Sequence, residues 1–378
     1  MPTEVDGVPT LSMSELRERL EQGEPVTVVD VRTSAARAEW SVPGSLHVDA
    51  MDALRSGTSE LLDRLPLREG APVVAVCNAG NSSKIATRYL RSRGVPAFSL
   101  AGGMRAWSLA WNVAEVALPA RGAGAPVRVL QVRRTGKGCL SYLIGSAGEG
   151  AVIDPSVDPQ VYEDLARDAG WRIGQVLETH VHADHLSRAR VLAGRTGAVL
   201  RLPRQQRVRF PFETVSDGDE ILIGDLALAA LRVPGHTDES TAYVLEGAAA
   251  FTGDTLFPGA VGRPDLEGGP EEARQRARDL YASVRRLLDL PDGTRVLAAH
   301  TSQPVAFDGV PVSATIDEVR PRVEALGSTE DEFVERVVSR IPQTPPNHLR
   351  ILELNEAGEL PDFDPVDLEA GANRCAAG

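Results

Sequence analysis

Five of the seven histidines in this chain stand in three short motifs that suit a metal centre. The densest is His180-Val181-His182-Ala183-Asp184-His185, three imidazoles and a carboxylate within six residues. Further along, Gly235-His236-Thr237, Gly253-Asp254-Thr255 and Ala299-His300 each set one more donor beside a small residue. Imidazole and carboxylate are natural ligands of zinc and ferrous iron. A lone histidine is usually an ordinary surface or core residue. That reading does not account for a dense cluster followed by three more donors in tight turns. The donor set admits two chemistries. One metal held by two histidines and a carboxylate keeps open positions for a substrate and O₂. Two metals about 3.5–4 Å apart generate hydroxide for hydrolysis.

The second reactive feature is Cys77, in Val76-Cys77-Asn78-Ala79-Gly80-Asn81-Ser82-Ser83. A loop between a strand and a helix turns successive N–H groups inward, and the helix N-terminus adds positive potential. Both effects favour a thiolate nucleophile. Taken alone, a buried structural cysteine fits Cys77 equally well. Cys139, at the start of a strand, reads as core, and Cys375 is assigned no role.

These residues need elements to hold them. Ser12 and Glu15 form a capping box for a helix that runs through Leu20 and stops at Gly23, stapled by Leu11 and Leu16. Val26 to Val31 and Val73 to Val76 are short apolar runs that predict buried strands. A helix follows Cys77 with Ile85, Tyr89 and Leu90 on its apolar side. Strands alternating with helices at this spacing predict a doubly wound parallel α/β domain. The stretch Leu118 to Pro126, rich in Gly, Ala and Pro, predicts a linker at 119–126. Beyond it, 127–132, 140–144, 151–154 and 176–179 read as strands. The segment from Leu186 to Leu192 reads as a helix that holds Asp184 and His185, and Pro270 to Leu290 as another. Ligands at the ends of successive strands converge on one rim. The expected domains are 8–118 and 127–345, with an irregular Pro-rich extension over 346–378.

Composition narrows the function. A net charge of −13 excludes nucleic acid as the natural partner, since phosphate binding needs clustered Lys and Arg. No apolar run approaches the ~18 residues of a membrane-spanning helix. The N-terminus lacks the basic and hydrophobic regions of a signal peptide, so a cytoplasmic location and no membrane association are the expectation. Three cysteines are too few for a disulfide framework.

The H-x-H-x-D-H motif, the G-H-T, the G-D and His300 resemble the metallo-β-lactamase superfamily over roughly 127–345. That resemblance implies a four-layer αβ/βα sandwich with metal at the open edge of two sheets. Phe251 to Phe257 followed by Gly262-Arg263-Pro264-Asp265-Leu266 is similar to its persulfide dioxygenase branch. This implies one Fe(II) on His180, His236 and Asp254, with His182, Asp184, His185 and His300 supporting them. It also implies that Arg263 salt-bridges a substrate carboxylate, unless it simply pairs with Asp265. The glyoxalase II branch shares the ligands and implies two Zn(II) instead: one on His180, His182 and His236, one on Asp184, His185 and His300, bridged by Asp254. Dioxygenases of this kind often carry H-D-Y after the last histidine, whereas this chain has His300-Thr301-Ser302.

Asp30-Val31-Arg32, Pro43-Gly44-Ser45 and Leu100 to Trp107 resemble a single-domain rhodanese over roughly 8–115. This implies a persulfide carried on Cys77. The family's loop arginine is replaced here by Ser82. The combined expectation is a rhodanese–persulfide dioxygenase fusion in sulfide oxidation. It would oxidise a small thiol persulfide, such as that of glutathione, with O₂ to sulfite. Cys77 would exchange sulfur with sulfite or thiosulfate. A dinuclear thioester hydrolase, and an N-terminal domain that only docks a persulfide carrier, are the competing readings. A homo-oligomer is compatible with all three.

Overall fold

The apolar runs around Cys77 form a parallel sheet because both of its faces are covered. In the computed structural model, which describes residues 3–119, 126–266, 268–371 and 373–377, six strands order as Thr3–Val5, Val8–Leu11, Ala97–Leu100, Val73–Val76, Thr27–Asp30 and Leu46–His47. All pairs are parallel except the first hairpin. Along Val73–Val76 the side chains alternate between faces. Val73 and Ala75 pack with Ala86 and Leu90, while Val74 and Val76 pack with Leu16 and Trp107. The capping box of Ser12 and Glu15 starts the helix Met13–Glu21. The result is the expected doubly wound α/β domain.

The second unit stacks two sheets. One orders Glu213–Val215, Val199–Pro203, Arg172–Leu177, Glu149–Ile153, Cys139–Ser146, Arg128–Arg134 and Asn112–Glu115. The other orders Glu220–Ile223, Leu226–Arg232, Thr241–Leu245, Ala249–Gly253, Arg295–Ala298 and Ala314–Thr315. Tyr142, Ile144, Ile153 and Leu177 meet Leu228, Tyr243, Phe251 and Leu297 between them. Helices Pro159–Asp168 and Ala189–Thr196 cover the outer face of the first sheet. Pro270–Leu288 and Glu330–Ser339 cover the outer face of the second. This is the αβ/βα sandwich.

Two details differ from the sequence reading, and a third falls outside the described residues. Asn112–Glu115, inside the segment 8–118, pairs antiparallel with Arg128–Arg134 and so belongs to the second sheet. Of the linker expected at 119–126, residues 120–125 lie outside the described residues. The extension 346–378 is not irregular. It contains the helices His348–Ala357 and Val366–Glu369, and the strand Ala376–Ala377 pairs with Val261–Gly262. Its prolines mask an apolar pair, Ile351 and Leu354, that buries against Leu186.

No helix among the described residues is long and apolar enough to cross a membrane.

Candidate metal centre

Each donor of the four motifs follows the end of a strand. The cluster 180–185 follows Arg172–Leu177, His236 follows Leu226–Arg232, Asp254 follows Ala249–Gly253, and His300 follows Arg295–Ala298. All seven donors are buried. Ligand atoms of His180, His236 and Asp254 lie within 4.8 Å of one another. Asp254 Oδ2 stands 3.8 Å from His180 Nε2 and 3.6 Å from His236 Nε2, and has no hydrogen-bond partner. A buried carboxylate oxygen without a donor is costly, so an ion between these three groups fits the chemistry. His236 Nδ1 lies 2.8 Å from the Arg263 carbonyl and His180 Nδ1 2.9 Å from Thr179 Oγ1, which leaves both Nε2 atoms for the centre.

The remaining donors form a second group. Ligand atoms of Asp184, His185 and His300 gather with the sulfur of Cys139. His300 Nε2 is 2.9 Å and His185 Nδ1 3.1 Å from the Asp184 carboxylate, while His300 Nδ1 is 2.7 Å from Asp254 Oδ1. His182 is turned by two acids, with Nε2 3.1 Å from Glu178 and 3.3 Å from Asp154. Its Nδ1, and Nε2 of His185, have no partner, and Nε2 of His300, though close to Asp184, makes no well-aligned hydrogen bond to it.

Burial, reinforced by His182 and His236, holds His180 well below the usual imidazole range, so it is neutral and ready to bind a metal. Burial acts the same way on His182, but Asp154 and Glu178 outweigh it and hold that imidazole well above its ordinary value. For Cys139 burial opposes ionisation, yet His185 overcomes it and brings the thiol down to about 6. Cys375, beside Asp254 and His300, goes the other way: burial and the two aspartates push it up.

The structure thus brings together all seven expected donors and adds residues that sequence reasoning missed. Cys139 and Cys375 both face the cluster, one read as core and the other left without a role. The helix expected to hold Asp184 and His185 begins only at Ala189. The C-terminal extension holds them instead. Asn355 Nδ2 donates to the carbonyls of His182 and His185 at 2.7 and 2.8 Å, and Glu369 accepts from the Leu186 N–H at 2.7 Å. Asn373 Nδ2 donates to Asp184 at 2.8 Å. A proline-broken tail gives no periodic signal that could have revealed this.

Arg263 is a correction. It is fully buried, with Nε and Nη2 bonded to Asp265 at 2.8 and 2.9 Å. Nη1 donates to the Gln343 and Arg374 carbonyls, and Nη2 also to that of Pro342. A guanidinium so engaged is a clamp on the tail rather than a free partner for a substrate carboxylate. Its backbone carbonyl, as noted, orients His236.

Glu369 anchors the same tail. Burial would raise its carboxyl, but Arg134 at 3.1 Å and Arg188 at 3.3 Å outweigh burial and lower it from 4.5 to about 2. A folded value below the unfolded one stabilises above pH 4.5, and the contribution is lost as pH falls toward 2, about 3 kcal/mol in all. Glu369→Gln leaves buried cations without a counter-charge, so an expected loss of about 3–5 kcal/mol follows. Thermal unfolding at pH 7 measures it, and the variant should lose part of the wild-type acid sensitivity between pH 4.5 and 2.

Cys77 lies apart from this cluster, in the loop between Val73–Val76 and the helix Asn81–Ser92. It is buried, and its sulfur accepts from the Gly80 N–H at 3.2 Å and lies 3.3 Å from Ser83 Oγ. Gly103, at φ +56°, passes so close that a Cβ there would stand 2.2 Å from the Cys77 carbonyl oxygen. Only glycine fits.

Residues 134–300 match the model of the metallo-β-lactamase superfamily, and residues 12–110 that of the rhodanese-like domain. The hydroxyacylglutathione hydrolase of Methylococcus capsulatus is 38% identical over 49% of this chain and 72% of its own length. The mitochondrial persulfide dioxygenase ETHE1 of Bos taurus is 32% identical over 56% of this chain and 81% of its own. The chain belongs to the metallo-β-lactamase superfamily. It is an enzyme of that superfamily with a rhodanese-like domain in front. The crystal structure of ETHE1 from Myxococcus xanthus superposes with a TM-score of 0.52 at 29% identity, covering 60% of this chain and 97% of that one. Both branches expected from the sequence are therefore present among the relatives of this superfamily member.

Proposed function

We propose that this enzyme oxidises a low-molecular-weight thiol persulfide with O₂ to sulfite and thiol, using one Fe(II) held by His180, His236 and Asp254. Written for a persulfide RSSH, the reaction is RSSH + O₂ + H₂O → RSH + SO₃²⁻ + 2H⁺. The observation that carries this reading is the state of Asp184. A second metal would need its carboxylate, yet that group already accepts from Asn373 and lies within bonding reach of His300 and His185. The tail thereby engages the one carboxylate of the second set, whereas Asp254 Oδ2 stays free for the first. Bound iron would supply open positions for the persulfide sulfur and O₂. The chain's own contribution is to fix the ligand faces through Thr179 and the Arg263 carbonyl, and to bury the centre away from bulk water.

Cys77 accepts and donates sulfane sulfur in this reading, so that sulfite and thiosulfate are its further small-molecule partners. The resemblance to rhodaneses and the inward Gly80 N–H support that role. A second reading, a two-zinc hydrolase of glutathione thioesters, is favoured by the unpartnered His182 Nδ1, His185 Nε2 and His300 Nε2. Metal analysis of anaerobically purified protein separates the two. One iron per chain is expected, and two zinc per chain with thioester hydrolysis would falsify the proposal.

A further inference from the structure

Cys139 opens the strand Cys139–Ser146 and meets His300 across an isolated antiparallel bridge. The Leu140 N–H donates to the Ala299 carbonyl at 2.7 Å, and the Thr301 N–H to the Gly138 carbonyl at 2.8 Å, so the two segments are locked together. A Cβ on Gly138, at φ +100°, would stand 2.3 Å from the Thr301 carbonyl oxygen. Only glycine allows that approach. The thiol is thereby fixed among polar donors rather than in an apolar layer. Its sulfur stands 3.7 Å from Asp184 Oδ2, near the roughly 3.6 Å that separates a sulfur and an oxygen on one tetrahedral zinc.

Ligand atoms of Cys139, Asp184, His185 and His300 all lie within 4.8 Å of one another, and all four residues are buried. His185 Nε2 and His300 Nε2 have no hydrogen-bond partner. A cysteine that only packs needs no such neighbours. Two buried, unsatisfied imidazole nitrogens are costly to leave as they are, and an ion beside the thiol would satisfy both.

The sulfur also sets this group apart from the iron triad. His180, His236 and Asp254 offer nitrogen and oxygen only. The second group offers one sulfur, two nitrogens and a carboxylate that Asn373 already engages. Iron gains little from a carboxylate held in that way. A thiophilic ion gains the thiolate, the soft ligand that zinc and cadmium favour.

We propose that Cys139, His185 and His300, with Asp184 as fourth donor, form a selective site for one thiophilic divalent ion of the zinc class. The site is built on a cysteine outside the seven motif donors, and it leaves iron to His180, His236 and Asp254. The inference goes beyond the dioxygenase reading and stands without it. Binding forms a metal–sulfur bond and releases the thiol proton to solvent, with no change of oxidation state.

Cadmium is the probe, because a thiolate bound to it gives a charge-transfer band in the ultraviolet. The full chain, loaded anaerobically with Fe(II) and titrated with Cd(II), should take up one cadmium, show the band of one thiolate, and keep its iron. Cys139→Ser should lose the band and weaken cadmium binding by about 10–100-fold or more, the range that even outer partners of a metal contribute. Cys77→Ser should keep the band. So should Cys375→Ser, although that sulfur lies near Asp254 and His300. Iron content and melting temperature show that each variant is folded. Cadmium NMR of wild type, in which the resonance moves with each sulfur ligand, reports the thiolate without any substitution. No cadmium on the iron-loaded wild type, cadmium bound without a thiolate, or a band that survives in Cys139→Ser overturns the site. So does cadmium that displaces the iron instead of joining it. The readout needs neither persulfide nor O₂, so a chain that shows the Cys139 band but takes up no O₂ sinks the dioxygenase reading alone.

Discussion

Asp254→Ala is expected to leave a folded chain that holds no iron and takes up no O₂. Asp254 follows the strand Ala249–Gly253 and is the one carboxylate shared by His180, His236 and His300. Its loss removes one of three ligands in the proposed centre, and no other carboxylate oxygen in the first group can take its place. Asp254→Asn, which keeps the shape and an oxygen, controls for packing. His185→Ala provides the contrast. In a one-iron centre His185 only supports Asp184, and outer partners of this kind typically contribute 10–100-fold, so about that loss in rate is expected with iron retained. In a two-zinc hydrolase the same change removes a ligand and should halve the metal content. Metal analysis and an oxygen electrode on the three variants read all of this.

Cys77→Ser should show the opposite profile. Sulfur transfer to cyanide or sulfite is expected to fall to background, because the thiol that would carry the persulfide is gone and a hydroxyl cannot replace it. O₂ uptake on free glutathione persulfide should remain largely intact, because the partners of the Cys77 sulfur are Gly80 and Ser83 of its own loop and helix, not the metal donors. Mass spectrometry should find one added sulfur on Cys77 in wild type after incubation with a sulfur donor, and none in the variant. If Cys77→Ser transfers sulfur as well as wild type, the domain is a docking module.

Much of this was legible in the sequence for a physical reason. Buried parallel strands must be apolar on both faces, and Val73 to Val76 says so directly. Metal donors must sit at strand ends beside small residues, and the spacing of His180 to His185, His236, Asp254 and His300 reveals that without any knowledge of the fold. What stayed hidden were contacts that depend on distance in space rather than spacing along the chain. Asn355, Glu369 and Asn373 reach the cluster from a tail whose prolines break every periodic signal, and Cys139 looks like any strand residue until its neighbours across the sheet are known. Arg263 misled in the same way. An arginine beside a presumed substrate site looks like a ligand for anions, but three backbone carbonyls and Asp265 already claim it.

The most direct test of the central claim is oxygen uptake by iron-loaded enzyme supplied with glutathione persulfide, with sulfite measured in the same vessel. The account predicts one sulfite formed for each O₂ consumed, and no uptake with glutathione alone. Absence of O₂ uptake on the persulfide, together with hydrolysis of a glutathione thioester by the zinc-loaded chain, would contradict it.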